Sequence, residues 1–172
     1  MARAEPWREP TRALPLRWGT YRERYLIGLV LIVGGGIQLQ GSNTWTLGLL
    51  LAGTAATAVG WSILPARGWR RLLVVMPATG QIWLLLTGPL SVWTLVVPFL
   101  CWLIVRHRPA RSYVTAILPI ASAVVLSNFF VEYSGMPAAL AISMAVFVAS
   151  AWLARLIAVS ARAPSTSAAS LR

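Results

Sequence analysis

The chain alternates between long apolar blocks and short polar breaks, without the amphipathic period of a soluble helical protein. Six apolar blocks can be drawn, at residues 25–40, 44–64, 71–87, 89–105, 112–133 and 137–158. Glycines and prolines stand in the breaks between them, as expected for turns. A membrane-spanning helix needs about 20 largely apolar residues, which is close to the length of these blocks. The pattern therefore predicts an all-α, polytopic membrane helix bundle of about six transmembrane helices.

The positions of the arginines predict the orientation of these helices. Lysine is absent, and the 15 basic residues are all arginine. Six of them lie in residues 1–24, three in 65–71, three in 106–111, and the last three at or after the end of the sixth block. The other three connections are short and contain no arginine. Because basic residues concentrate in cytoplasmic loops, we expect cytoplasmic N and C termini and three antiparallel hairpins.

The composition favours the same class of protein. Hydrophobic residues make up 58% of the chain and charged residues 11%, whereas a soluble domain is about one quarter charged. The formal net charge of +11 would suggest nucleic acid in a soluble protein, but no nucleic-acid-binding motif accompanies it. We expect a multi-pass protein of the plasma or inner membrane, with the lipid bilayer as a partner and no nucleic acid. The predicted parts are a basic cytoplasmic tail (1–24), a six-helix transmembrane domain (25–160) and a flexible cytoplasmic tail (161–172).

The inventory of reactive side chains argues against catalysis by this chain. Without lysine no Schiff base can form, and without aspartate there is no Asp–metal phosphotransfer site. One histidine, His107, and one cysteine, Cys101, are too few for a usual zinc or haem site. The predicted topology also places His107 and Glu132 on opposite membrane faces, which excludes a Ser–His–acid triad that contains both residues. We therefore expect no enzymatic activity, no metal and no cofactor.

Polar side chains in or near the outer half of the predicted bundle are candidates for a binding pocket. Gln81 lies near the predicted bilayer midplane, and Gln38 lies near the end of the first helix. Asn128 and Glu132 are four residues apart on the predicted fifth helix, so they would share one helix face. One hypothesis joins all four in an outward-facing pocket for a small polar or cationic solute. The alternative leaves Glu132 in interfacial water and the amides bonded to neighbouring helices.

Two further sets of residues are candidate contact surfaces. Small residues at a spacing of four let membrane helices approach closely, and the second block carries Gly48, Ala52, Ala56 and Gly60. The sixth block repeats the pattern with Ala141, Ala145 and Ala149. These faces either hold the bundle together or bind a partner membrane protein or a second copy. The second set is the arginines of the two inner loops, Arg67, Arg70, Arg71, Arg106, Arg108 and Arg111. These arginines either bind anionic lipid or an acidic partner, or only set the orientation of the chain in the membrane.

Two functional interpretations remain open. In the first, the chain is a membrane subunit or accessory partner of a larger complex, without catalytic machinery of its own. Short loops, small-residue faces and the missing catalytic groups favour it. In the second, the chain is a small-solute transporter or a substrate-capturing membrane component, which the polar residues of the outer half favour.

Overall fold

The computed structural model describes residues 10–16 and 18–160, and within these ranges the chain forms helices and turns but no strand. The six α-helices are α1 (Tyr21–Gln40), α2 (Leu47–Ile63), α3 (Gly68–Leu84), α4 (Val96–Val105), α5 (Ile117–Phe129) and α6 (Met136–Ser160). The 3-10 segments are Pro10–Ala13, Leu85–Thr87, Pro89–Leu95, Ala110–Ala116 and Tyr133–Gly135. The all-α architecture with six helices is thus confirmed. The predicted tail at 161–172 and the first nine residues of the predicted N-terminal tail lie outside the described residues.

α1 and α2 pack backbone against backbone at two pairs of glycines. A Cβ atom added to Gly35 would lie 2.6 Å from the carbonyl oxygen of Gly53, and one added to Gly60 would lie 2.8 Å from that of Gly28. Both distances are shorter than real Cβ contacts. The two glycines of each helix are seven residues apart, so the pairs recur after about two helical turns along one antiparallel seam.

The next two helix pairs are also antiparallel. Nε2 of Gln81, late in α3, donates a hydrogen bond of 3.0 Å to Oγ1 of Thr94, which precedes α4. Oγ of Ser112, which precedes α5, donates a hydrogen bond of 3.0 Å to the carbonyl oxygen of Ala154, late in α6. Each bond joins the far end of one helix to the near end of its neighbour. The described residues are therefore arranged as three antiparallel hairpins.

α4 and α5 each follow a 3-10 segment of seven residues, although runs longer than three or four residues are uncommon. Both segments share the spacing S-x-x-T-x-x-x-P. In each one the threonine Oγ1 donates to the serine carbonyl oxygen, at 2.7 Å in the first and 2.8 Å in the second. The proline ring crowds the carbonyl four residues earlier, and the threonine bond competes with the α-helical pattern. The repeated residues are Ser91, Thr94 and Pro98, then Ser112, Thr115 and Pro119.

Many large apolar side chains are exposed on the outside of the bundle, and several hydroxyl groups and one amide group are buried inside it. The exposed fractions of Val30, Leu51 and Met76, on three different helices, are 70%, 74% and 78%. The buried polar side chains without charge are Thr11, Thr57, Gln81, Thr94, Ser112, Thr115, Ser143 and Ser150. Apolar clusters are also buried, such as the one that contains Trp61, Val74 and Cys101, so apolar side chains lie both inside and outside the bundle.

Two helices are long and apolar enough to cross a membrane, by length and composition. They are the continuous helical stretches Ala110–Phe129 and Tyr133–Ser160. The stretches Leu47–Ile63 and Pro89–Val105 are apolar but shorter. α1 and α3 carry arginines in their first turns, which shortens their apolar part.

Candidate functional site

The arginine-bearing segments meet at one end of the bundle, which we call the basic end (residues 18–25, 62–71 and 102–111). The last carbonyl groups of an α-helix lack partners within the helix, and positive charge is favourable beside them. Three guanidinium groups fill this role at the basic end by donating to carbonyl oxygens of neighbouring helices. The pairs are Arg24 with Ile63 at 3.1 Å, Arg70 with Ile104 at 3.0 Å, and Arg71 with Ser62 at 3.2 Å. These arginines therefore cap α2 and α4 and tie four helices together.

Arg106 lies among three aromatic rings. Its guanidinium carbon is 4.6 Å from the ring centre of Tyr25, 5.6 Å from that of Trp102 and 5.9 Å from that of Tyr21. It also donates a hydrogen bond to the Tyr21 hydroxyl, and Trp102 Nε1 donates to the Tyr25 hydroxyl at 3.3 Å. Aromatic faces attract cations, so this contact joins the start of α1 to the end of α4. Sequence reasoning missed it, although the two tyrosines stand one helical turn apart on one face.

His107 occupies a cationic environment in the loop after α4. Its backbone adopts a left-handed conformation with φ of 52°, and its N–H donates to the carbonyl oxygen of Ile104 at 3.1 Å. The same carbonyl oxygen accepts from Nη1 of Arg70 at 3.0 Å, so the His107 backbone and the Arg70 guanidinium meet at one carbonyl group. Burial, and then the charges of Arg70 and Arg67, lower the pKa of His107 below its usual 6.5. The imidazole is therefore biased towards its neutral form.

The six loop arginines named in the sequence analysis are thus brought to one end but differ in exposure. Arg67 and Arg111 are exposed, while Arg70, Arg71 and Arg106 are half-buried. Arg108 is buried, with its guanidinium carbon 5.7 Å from the ring centre of Trp102. Several of these side chains therefore hold the fold together, and the exposed ones are those best placed to meet a ligand.

The three turns without arginine meet at the opposite end, the turn end (residues 40–46, 85–91 and 130–135). The Tyr133 hydroxyl lies 3.5 Å from Oε1 of Gln40. A Cβ atom added to Gly88 would lie 3.5 Å from the Tyr133 ring, and Gly88 has a φ of +103° that favours glycine. The two ends of the bundle are therefore chemically distinct, one cationic and one carrying the carboxylate of Glu132.

The four residues of the predicted polar pocket do not meet. Gln81 is buried and bonded to the segment before α4. Asn128 is exposed, and its Nδ2 donates to the carbonyl oxygen of Val124 in its own helix at 2.7 Å. Gln38 is exposed on α1, and Glu132 is exposed at the turn end. The amides are thus satisfied or solvent-facing separately, because each helix is rotated about its axis by its own packing.

Asn128 and Glu132 do not share a helix face, contrary to the sequence expectation. α5 ends at Phe129, and Glu132 has an extended backbone with φ of −86° and ψ of 146°. The chain leaves the helix at Phe130, whose ring folds so closely over Gly135 that a Cβ there would lie 2.7 Å from it. This reversal stops the helix before Glu132.

Glu132 nevertheless lines an open depression at the turn end. Its volume is about 350 Å³, and Ser134 Oγ donates to the carboxylate at 3.3 Å. The other lining residues are Phe129, Phe130, Val131, Ser134 and Gly135. The depression combines aromatic surface with one negative charge, which is suited to a cation.

A series of hydrogen bonds through Thr94 and Ser91, which sequence reasoning missed, connects Gln81 to the turn end. Thr94 Oγ1 accepts from Gln81 and donates to the Ser91 carbonyl oxygen at 2.7 Å. Ser91 Oγ in turn shares a hydrogen bond with Oγ1 of the exposed Thr87. The spacing of serine and threonine before Pro98 is the signal that marks this segment. These hydrogen bonds join α3 to the segment before α4.

The predicted small-residue face of α2 is only partly used within the bundle. Gly60 packs on Gly28 of α1, but the other α2 glycine of the seam is Gly53, which the four-residue spacing omits. Gly48 and Ala52 are exposed, and Ala56 is half-buried. The seam follows a seven-residue spacing, which turns the four-residue stripe partly outwards. The small residues of α6 are exposed as well: Ala141, Ala145 and Ala149.

Comparison with known proteins identifies no relative. No family model matches the chain, and no curated protein and no solved structure matches it.

Proposed function

We propose that the chain is a multi-pass integral membrane protein with six membrane-crossing helices and the basic end in the cytoplasm. The observation that supports this most directly is the set of large apolar side chains exposed on α1, α2, α3, α5 and α6. Exposing apolar surface to water costs about 25 cal/mol per Å², whereas lipid removes that cost. Grouping the loop arginines at one end fits the excess of arginine and lysine in cytoplasmic loops.

Reporter fusions test this orientation. Fusions after residue 107 and after residue 160 should report a cytoplasmic location, and fusions after residues 43, 88 and 134 an external one. An external signal from the loop at 106–111 would overturn the layout, as would recovery of the full chain from the soluble fraction of lysed cells.

Within the membrane, we propose that the chain acts as a non-catalytic subunit or accessory partner of a larger complex. The buried side chains of Gln81 and Ser112 form hydrogen bonds within the bundle, which fits a structural role for these groups. Strips of small side chains remain on the outer surfaces of α2 and α6, where a further helix can approach closely. A partner membrane protein or a second copy would pack there.

Native co-purification tests the subunit proposal with matched variants. Ala52→Leu and Ala145→Leu enlarge exposed positions of the two strips, and Ala121→Leu makes the same change at an exposed position of α5. We expect the first two variants to lose a partner that the unmodified chain and Ala121→Leu retain in fixed ratio. A chain that purifies alone, as a monomer, from native membranes would contradict the proposal.

A second candidate function is the capture of a small cationic solute at the turn end. The depression around Glu132, with Phe129 and Phe130 beside it, favours this reading. Glu132→Gln should then abolish binding or uptake, whereas Gln81→Leu, outside the depression, should leave it intact. Unchanged uptake in the Glu132→Gln variant would rule out a role for the carboxylate.

A further inference from the structure

The basic end carries a large surplus of positive charge that the chain itself does not neutralise. The sequence has 15 arginines against four acidic residues. Glu132 lies at the opposite end, and the Glu23 carboxylate accepts the Thr20 N–H at 2.8 Å in the cap of α1. Full pairing with the two remaining acidic residues would still leave most arginines without a counter-charge. Anions from outside the chain must supply it.

Three basic side chains, for which the described part of the chain offers no acidic partner, lie at one corner of the basic end. It consists of Arg67, Arg70 and His107, and we call it the Arg67 corner. Nη1 of Arg70 and the backbone N–H of His107 both donate to the Ile104 carbonyl oxygen, at 3.0 and 3.1 Å. Within the described residues, Nε of Arg70 and Nε2 of His107 are buried atoms without a hydrogen-bond partner. Arg67 is the exposed residue before α3, and its carbonyl oxygen accepts the backbone N–H of Arg70 at 3.0 Å.

We propose that the Arg67 corner binds the phosphate group of an anionic membrane phospholipid. Guanidinium groups match phosphate oxygens in charge and in hydrogen-bond geometry. Trp69 indicates that the phosphate belongs to a lipid. Its side chain is 61% exposed, and its ring centre lies 5.2 Å from the Arg70 guanidinium carbon. An exposed tryptophan beside a cation is the arrangement found at the headgroup level of a bilayer. This assignment rests on the proposed membrane location, because it places the corner at that level.

His107 provides a reporter of the bound anion. It is the single histidine of the chain, so its imidazole resonance in an NMR spectrum needs no assignment. Burial and the neighbouring charges of Arg70 and Arg67 lower its pKa, and Arg106 and Arg108 flank it in the chain. A phosphate in the corner favours the imidazolium form, since an opposite charge nearby raises the pKa of a base. We expect a rise of about one pKa unit on binding.

The experiment follows the histidine resonance of the full chain in zwitterionic detergent micelles. Phosphatidylglycerol is added to a few molar equivalents, with phosphatidylcholine as the neutral comparison. We expect the pKa of His107 to rise and to saturate near one phosphatidylglycerol per chain. Arg67→Gln should raise the starting pKa, because a repelling charge is removed, and should suppress most of the lipid response. Arg155→Gln removes an exposed arginine of α6 and should change neither.

Two outcomes would overturn the proposal. A response that grows with the anionic fraction without saturating, and is equal in Arg67→Gln and Arg155→Gln, would mean only a general surface potential. An equal shift with inorganic phosphate at the same concentration would replace the lipid by free phosphate. The titration of His107 in micelles does not depend on whether the helices cross a membrane. The reporter fusions can therefore fail while the corner still binds lipid, and the corner can fail to bind lipid while the reporter fusions succeed.

Discussion

The glycine seam between α1 and α2 makes a demanding test of the structure, because adjacent glycines differ completely in their surroundings. A Cβ atom added to Gly35 would lie 2.5 Å from Oγ1 of Thr57 and 2.6 Å from the carbonyl oxygen of Gly53, whereas one added to Gly34 meets nothing within 4 Å. Ordinary contact begins at 3.4 Å, so Gly35→Ala must separate the helices by about 0.8 Å (3.4 minus 2.6). Gly34→Ala makes the same chemical change in the same helix without that cost.

The expected energies are opposite in sign. Overpacking a close contact costs about 1–3 kcal/mol, and replacing a helical glycine by alanine returns about 0.5–1 kcal/mol. Gly35→Ala should therefore lower the free energy of unfolding by about 1–2 kcal/mol. At about 2–4 °C per kcal/mol for a chain of this size, the midpoint should fall by roughly 2–8 °C. Gly34→Ala should leave it unchanged or raise it slightly.

Thermal unfolding in detergent, followed by circular dichroism, measures both variants against the unmodified chain. Gly53→Ala should behave as Gly35→Ala does, because its added Cβ atom would lie 2.6 Å from the carbonyl oxygen of Gly35. Equal midpoints for Gly34→Ala and Gly35→Ala would refute the seam. A lower midpoint for Gly34→Ala alone would mean that the face of α1 is assigned wrongly.

Three further predictions concern single contacts. Arg70→Gln removes the hydrogen bond from the guanidinium group to the Ile104 carbonyl oxygen and should lower the free energy of unfolding by about 1–2 kcal/mol. Arg67→Gln should leave this free energy unchanged, and chemical unfolding in detergent compares the two variants. Gln81→Leu breaks the bond to the hydroxyl before α4, and because such bonds between membrane helices average about 0.6 kcal/mol, only a small loss is expected in the same assay. Since the pKa of His107 is lowered in the folded state, the unfolded state binds more protons as pH falls through 6.5, so stability should decrease from about pH 7.5 to 5.5. His107→Asn, which also tolerates the left-handed backbone, should remove most of this slope, and an unchanged slope would refute the assignment.

The number and pairing of the helices could be predicted because block lengths and charge positions are properties of the linear sequence. Breaks around Gly41, Gly88 and Gly135 set the turns at one end, and the arginine loops set the other. Neither inference requires knowing how any helix is rotated about its axis. That is why the all-α, six-helix architecture followed from the pattern alone.

The structure does not bring the four candidate pocket residues together, because the direction of a helical side chain turns by 100° from one residue to the next and the sequence does not fix which direction faces the bundle. On α5 the buried positions include Ala123 and Leu126, and Asn128 therefore points outwards. On α2, Gly53 faces α1 in the seam and its neighbour Ala52 does not, for the same reason. The end of α5 before Glu132 depends on a contact with Gly135 that spans a turn, and helix propensity alone does not reveal it.

The 3-10 segments before α4 and α5 have a consequence for length. A 3-10 helix rises about 2.0 Å per residue and an α-helix about 1.5 Å. The stretch Pro89–Val105 contains seven residues of the first kind and ten of the second, and so reaches about 29 Å, against about 26 Å if it were wholly α-helical. A bilayer hydrocarbon core is about 30 Å thick. The repeated S-x-x-T-x-x-x-P spacing thus stretches a 17-residue segment to match the thickness of the membrane that we propose it crosses. Restoring α-helical geometry there would leave a mismatch of roughly 4 Å for the surrounding lipid to absorb.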